Sequence, residues 1–480
     1  MKALALCTMV IVFCLVVCQK KEQVVVNEPE VQPVEIELPD TMWQKTASIV
    51  PEDSGAVSRI ITESIVRRLD PAGLKIVSGY EMIAGADYII KTRATQHNDS
   101  IDIDYTIQES GNDSTLHQMI SFRQEQMLTA LDAVSAQVSW SLGDSVIQKK
   151  SPPVSGLAVQ NFLEAEALRL RGTPDAFNAA IRQYKEILRN DSLFTDAWAG
   201  LTECYLSLIE QGWERHPIWL SLAQQGAFKL VKYADKGDGE TFLGRIALIR
   251  GDLRGAETYF RQALEKNKNL VAAWRGLGQI FTKYGLYEYA LEMFDHALAL
   301  NFSDMSSGMS KALILGGQGQ YPKAIELLQK LISVNPEALY LHSFLALQLF
   351  YEGNYDSAME AVRIGLADPN YLPLSHAILA MIQARTGDLD SALGEVELEV
   401  KPQAEGNGSL ATAVAAVYSI LGLKGQSVQW LEKAVEWGYL EYPWLVKDPN
   451  FVSLQGDKRF EAICDTLKVV YNQRRESYLD

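Results

Sequence analysis

Glycine recurs along the second half of the chain at a fixed interval. Gly251, Gly285, Gly319, Gly353 and Gly387 lie 34 residues apart, and Gly422 follows at 35. Five residues after each of the first five stands an alanine: Ala256, Ala290, Ala324, Ala358 and Ala392. Ser427 holds that place in the sixth. A register kept this long constrains the fold more than composition does. Each unit is a small module that cannot bury its apolar face alone, so the modules must stack.

The unit from Val271 shows the pattern most fully, with Trp274, Leu277, Gly278, Phe281, Gly285, Ala290, Phe294 and Ala297. Small residues at Gly278 and Ala290 predict two antiparallel helices in close approach. The aromatics predict filled space between neighbours, and Gly285 marks the turn, where a left-handed residue is cheapest. A period of 34 residues is that of the tetratricopeptide repeat. Units are expected from Gly237, Val271, Met305, Leu339, Pro373 and Gly408, with two looser ones near Asn161 and Thr195. The unit from Thr195 is longer by a stretch around Gln211 to Leu222, which carries Trp213, His216, Pro217 and Trp219 and predicts a packed loop or cap. About eight units are expected over residues 151–441. Residues 442–480, with Leu467, Val470 and Tyr471 on one face, are expected as capping helices.

The amino terminus reads as an address. Ala3 to Val17 is apolar except for Thr8, too short to cross a bilayer comfortably and matching a secretory signal in length. The run ends Leu15-Val16-Val17-Cys18 and is followed by Gln19-Lys20-Lys21. It resembles a bacterial lipoprotein signal over residues 1–18, which implies lipidation at Cys18; Val17 stands where that family has Gly, Ala or Ser. An uncleaved anchor and a misread start are the alternatives. Residues 19–40, rich in Pro and acidic side chains, are expected as a flexible tether, with Val34 to Leu38 a candidate extra strand.

Residues 41–150 predict a small α/β domain. Ala47 to Val50 reads as a strand, Ser54 to Leu69 as a helix with Val57, Ile60, Ile61, Ile65 and Leu69 on one face, and Leu74 to Val77 as a second strand. Three strand-like runs follow, Asp87 to Thr95, Ser100 to Glu109 and Thr115 to Gln124, and then a helix from Met127 to Leu142. The alternation of Ile101 to Ile107 turns Asp102 and Asp104 to the solvent side of a strand, which accounts for them without catalysis. Ile61-Thr62-Glu63-Ser64-Ile65, Leu74 to Ser78 and Gly85 to Ile90, in that order, resemble the TolB-like amino-terminal domain found beside tetratricopeptide arrays in bacterial signalling proteins. Asn161 to Glu166, Ala197 to Leu201, Trp430 to Ala434 and Asp448 to Phe451 extend the resemblance into the array. This sequence departs from that family at Pro51-Glu52-Asp53 and in the short stretch Gly79 to Ala84, so the resemblance implies a trimmed version.

Chemistry is sparse. With 44 Lys+Arg against 60 Asp+Glu the net charge is -16, the opposite of a nucleic-acid footprint. Of five cysteines, three lie in the first 18 residues, which leaves Cys204 and Cys464, too few for a disulfide framework or zinc cluster. No phosphate loop or His-Glu-x-x-His occurs, and no two of the six histidines are spaced i, i+4, so no cofactor or metal is expected. His342 and His376 stand at the same place in successive units, where helix packing explains them better than a metal.

What remains is surface. Positions two, five, nine and twelve of each first helix usually face the concave side of such an array. They nominate Met309, Leu313, Tyr340, Leu347, Phe350, Leu374 and Met381, with Arg245 and Arg275 in the earlier part. An apolar, Met-containing groove suits a protein or peptide partner; burial within the superhelix is the competing explanation. The fold class expected is α+β multidomain, a small TolB-like α/β domain followed by an all-α solenoid. The function expected is a non-enzymatic, membrane-tethered interaction protein of the bacterial cell envelope, facing the periplasm or exterior. The alternative is an accessory of envelope signalling coupled to a separate cyclase, kinase or regulator.

Overall fold

The computed structural model describes residues 45–52, 56–66, 74–78, 86–97, 100–110, 115–123, 126–141 and 156–479, apart from 215, 235, 302–303 and 369–372. The segment expected as a signal, Cys18 included, and the expected tether lie outside these residues.

Alternating residues build the first layer. Strands β1 (Lys45–Pro51), β2 (Leu74–Ser78), β3 (Tyr88–Gln96), β4 (Ser100–Glu109) and β5 (Thr115–Arg123) form one sheet in the order β2-β1-β3-β4-β5. β1 runs parallel to both neighbours, while β3-β4 and β4-β5 are antiparallel. On β4, Ile101, Ile103, Tyr105 and Ile107 are buried and the residues between them are not. Helices α1 (Ala56–Val66) and α2 (Met127–Ser141) pack on the sheet with Ile60, Ile61, Ile65, Leu131, Val134 and Val138 in the shared core. Asp102 and Asp104 turn the other way and bond to His97 (3.0 Å) and His117 (2.6 Å), both exposed.

The apolar core of this layer continues through Ala158, Val159 and Phe162 of α3 (Gly156–Arg169) into a stack of helix pairs. α3 pairs with α4 (Pro174–Asn190), α5 (Thr195–Glu210) with α6 (Pro217–Tyr233), and α7 (Asp238–Ile249) with α8 (Leu253–Lys266). Next come α9 (Val271–Lys283) with α10 (Tyr287–Leu300), α11 (Met305–Gly317) with α12 (Tyr321–Val334), and α13 (Leu341–Glu352) with α14 (Tyr355–Leu366). α15 (Pro373–Thr386) with α16 (Leu389–Glu395), and α18 (Gly408–Ile420) with α19 (Lys424–Glu436), complete the stack. The periodic glycines fall at the turns inside pairs; Gly285, for example, has φ 72°.

Within a pair the approach is close for the reason the sequence gives. A Cβ on Gly278 would stand 2.6 Å from the Phe294 ring, and Ala290 is fully buried. Trp274 is buried and donates its indole N–H to the Lys268 carbonyl at 2.7 Å, as Trp198 does to the Ser192 carbonyl at 2.9 Å. The long stretch around Gln211 to Leu222 is a widened turn and the start of α6. Trp213 packs on Phe177, Trp219 on Tyr205, and His216 caps α6 by accepting from the Ile218 N–H. The one 35-residue interval also has a structural form. After α16 the helix widens to a π-turn at Val396–Val400, and the Lys401 N–H reaches back five residues to the Val396 carbonyl before the short α17 (Lys401–Ala404). A π-turn holds one extra residue without breaking the helix.

Candidate binding groove

First helices of successive pairs touch one another along the stack, whereas second helices meet chiefly their own partner and the adjoining first helix. The first helices therefore line the inner side of the curve. The residues singled out from the sequence sit on them in three different states. Leu347, Phe350 and Met381 are buried inside the stack, at 6%, 4% and 2% exposure. Met309, Leu313, Tyr340 and Leu374 are half-buried and pack on the core from its margin.

The two arginines are engaged by carboxylates of the chain itself. Arg245 is buried and forms a double bidentate pair, with Glu203 at 2.6 and 3.1 Å and Glu210 at 3.0 and 2.7 Å. Burial alone would raise the Glu203 carboxyl, but Arg245 outweighs it and holds it at about 2. Arg275 meets Asp304 at 2.5 Å, and Asp304 also caps α11 by accepting from the Ser307 N–H. Tyr340 donates to the Met305 sulfur at 3.3 Å, its N–H donates to Asp368, and burial pushes its phenol up to about 12.

The sequence reading missed what lies over this wall at the turn ends. After α19 the chain does not simply stop on the last pair. α20 (Tyr442–Lys447), a 3-10 turn (Pro449–Leu454) and α21 (Lys458–Leu479) run back over the turns of earlier pairs. Glu441 accepts from the Tyr287 hydroxyl at 3.5 Å, and Trp444 lies flat against Gly317, where a Cβ would overlap its ring. Asp448 accepts from the Tyr351 hydroxyl at 3.1 Å, Asn450 bonds Tyr351 and Arg385, and the Ser419 hydroxyl donates to the Asn450 carbonyl at 2.6 Å. α21 begins at α19, where Arg459 pairs with Glu432, and ends with Arg474 over the Tyr284 ring at 4.7 Å. Its Leu467 is buried, with Val470 and Tyr471 half-buried. Burial pushes the Glu441 carboxyl up to about 7, with Lys283 and Tyr287 acting against it. Burial likewise pushes Asp448 up to about 6 against the hydrogen bonds it accepts.

Other reactive groups are quiet. Cys204 is buried and its thiol pushed up by that burial, and Cys464 is half-buried and shifted the same way. Burial lowers His342, while His376 bonds Glu395 at 2.7 Å. Among the described residues there is no group of three His, Cys, Asp or Glu side chains placed to hold a metal, and no helix long and apolar enough to cross a membrane.

A family model for the tetratricopeptide repeat matches residues 243–302 and 309–373. Among solved structures, a chain of the APC/C hetero-tetramer Cut9-Hcn1 aligns at 15% identity over 72% of this chain, with a TM-score of 0.46; this chain spans 60% of that one. The human IFIT1 dimer with m7Gppp-AAAA aligns at 14% identity over 64% of this chain and 77% of its own, TM-score 0.43. A tetratricopeptide repeat protein from Parabacteroides merdae aligns at 15% identity over 58% of this chain and all of its own, TM-score 0.36. No curated protein matches the chain. The repeat match agrees with the 34-residue register and the paired helices: this chain carries tetratricopeptide repeats.

Proposed function

We propose that the protein is a non-enzymatic interaction protein whose helical stack holds a protein or peptide partner. The observation that carries this reading is the repeat stack itself, an extended inner wall of first helices of a kind that generally mediates protein–protein interaction. Met309, Leu313, Tyr340 and Leu374 supply half-buried apolar anchors along it, suited to an amphipathic helix. Leu347, Phe350 and Met381 shape the wall from behind, and Arg245 and Arg275 stiffen its early part through their ion pairs.

In this reading Cys18 carries a lipid, residues 19–40 are the tether, and the α/β layer is a trimmed TolB-like domain between the tether and the stack. The protein then works at the bacterial cell envelope, where tethering raises the local concentration of what it binds. Mass spectrometry of the mature amino terminus tests the anchor: a diacylated Cys18 is expected, and an intact Met1 refutes it. A photo-crosslinking amino acid at Met309 in intact cells is expected to trap one discrete protein. Capture should be lost with Tyr340→Ala while the helical circular dichroism stays unchanged. No adduct at Met309, Leu313 or Leu374 would refute the groove.

A further inference from the structure

Two surfaces on the outer side of the stack are unlike the rest of it. Among the described residues, only two of the second helices expose large apolar side chains: α6, and α16 with the π-turn that follows it. On α6 these are Ile218, Phe228 and Tyr233, with Phe228 51% exposed. They share one face with Gln225, Lys229 and Lys232, at spacings that a helix of 3.6 residues per turn brings into line. On the later stretch they are Leu389, Leu393 and Leu398, the last 74% exposed between the fully buried Val396 and Val400. Leu389 and Leu393 are one turn apart. The wider π-turn then brings Leu398 round toward the same row.

The two faces carry opposite charge. In a chain of net charge -16, α6 has no acidic residue at all. Its Lys229 and Lys232 are exposed and form no ion pair among the described residues. Lys229 lies 5.9 Å from the Trp198 ring and 5.8 Å from the Tyr233 ring, and Lys232 lies 4.9 Å from Tyr233, so the rings hold both charges on the apolar face. The later stretch carries Asp390, Glu395, Glu397 and Glu399. Glu395 is bonded to His376 and Glu397 to Lys401. Asp390 and Glu399 stay exposed, with no ion pair among the described residues. Pairing either face with its own kind would set lysines against lysines or acids against acids. Pairing one with the other joins opposite charges around two apolar rows. Four helix pairs separate the two faces and both are exposed, so they do not cover each other within one copy. Each finds its complement on a second copy.

We propose that the chain associates with itself head to tail, the α6 face of one copy docking on the α16 face of the next, with Lys229 and Lys232 opposite Asp390 and Glu399. A contact between two different patches repeats from copy to copy, until a ring closes or as an open filament. It lies on the outer side of the stack, so it leaves the inner wall open and does not depend on which partner that wall holds.

Sedimentation velocity of the full chain from about 1 to about 100 µM tests it. The weight-average mass should rise with concentration and fall back toward the monomer as salt is raised from about 0.05 to about 0.5 M. Lys229→Glu with Lys232→Glu, and separately Asp390→Lys with Glu399→Lys, should each weaken association by about tenfold or more. These side chains are exposed, so helical circular dichroism and the melting midpoint should stay unchanged. All four reversals in one chain should restore association. A second pair of variants removes the apolar rows and keeps the charges. Phe228→Ser with Tyr233→Ser breaks one face, and Leu393→Ser with Leu398→Ser breaks the other. Each variant alone should be monomeric, whereas their mixture should form dimers and grow no further, because one intact junction remains between them. A monomer at every concentration overturns the proposal, as does undiminished association of either charge-reversed variant or a serine-variant mixture that stays monomeric. Binding of a strictly monomeric chain to phosphatidylglycerol vesicles, lost with Lys229→Glu and Lys232→Glu, would overturn it in favour of a lipid surface at α6.

Discussion

Two acids in the returning segment make the chain's stability depend on pH in a definite direction. Glu441 rises from an ordinary value near 4.5 to about 7 on folding, and Asp448 from 3.8 to about 6. A carboxyl raised on folding favours the folded state fully below its unfolded value and progressively loses that advantage as pH climbs to the folded one. Stability of the segment should therefore decline from about pH 4 to 7, by at most about 3 kcal/mol per group. Glu203 has the opposite sign. Arg245 holds it at about 2, so its contribution is present above about pH 4.5 and lost on acidification below that. Glu441→Gln with Asp448→Asn should flatten the neutral limb of a pH–stability profile from urea melts and leave the acid limb intact. Arg245→Ala should cost about 1–3 kcal/mol in the same assay, because it leaves two part-exposed carboxylates side by side without their shared counter-charge. The Arg245 pairing was not legible in the sequence. Its partners Glu203 and Glu210 lie one helix pair earlier, at 42 and 35 residues' separation, and no local spacing records them.

Among the elements, the register announced the helix pairs, a matter of local count, whereas the 35-residue interval did not say that its extra residue would be taken up as a π-turn at Val396–Val400. The split among groove residues was harder to read. Leu347 and Phe350 lie on α13 and the half-buried Tyr340 is its N-cap, and a helical period alone does not say how far the next pair leans over a face. The segment 438–479 likewise shows its apolar face in the sequence but not its address. Its docking rests on Trp444 against Gly317, where the structure has no space for a Cβ. Gly317→Ala should force the indole out and loosen α20 and the 3-10 turn, at a cost of about 1–3 kcal/mol. Hydrogen exchange should then rise over 438–456 and leave α3 to α6 unchanged, since among the described residues no contact of the segment reaches them. Lower protection factors over 438–456 at pH 8 than at pH 5 in the unaltered protein, after correction for the base-catalysed intrinsic exchange, would show the acid dependence at this scale; equal protection at both would count against it.

Taken whole, the molecule is a linear stack with a return strap. A plain stack is held by neighbour contacts, so its parts melt in sequence and its cooperativity is limited. The strap adds contacts between Glu441 and Tyr287, 154 residues apart, and between Asp448 and Tyr351, 97 apart, which tie several pairs into one unit. Trp444→Ala should therefore broaden the calorimetric transition, or split it between the early and late pairs, as well as lower its midpoint. The amino-acid sequence by itself determined the repeat, the paired helices, the glycine turns and the alternating strands, because each follows from side-chain spacing within one module. Only the tertiary structure decided which groove residues are sealed, which arginines are paired and where the carboxyl-terminal segment lies. Those outcomes depend on the curvature summed over many units and on contacts between residues far apart in the chain, and no periodic pattern encodes either.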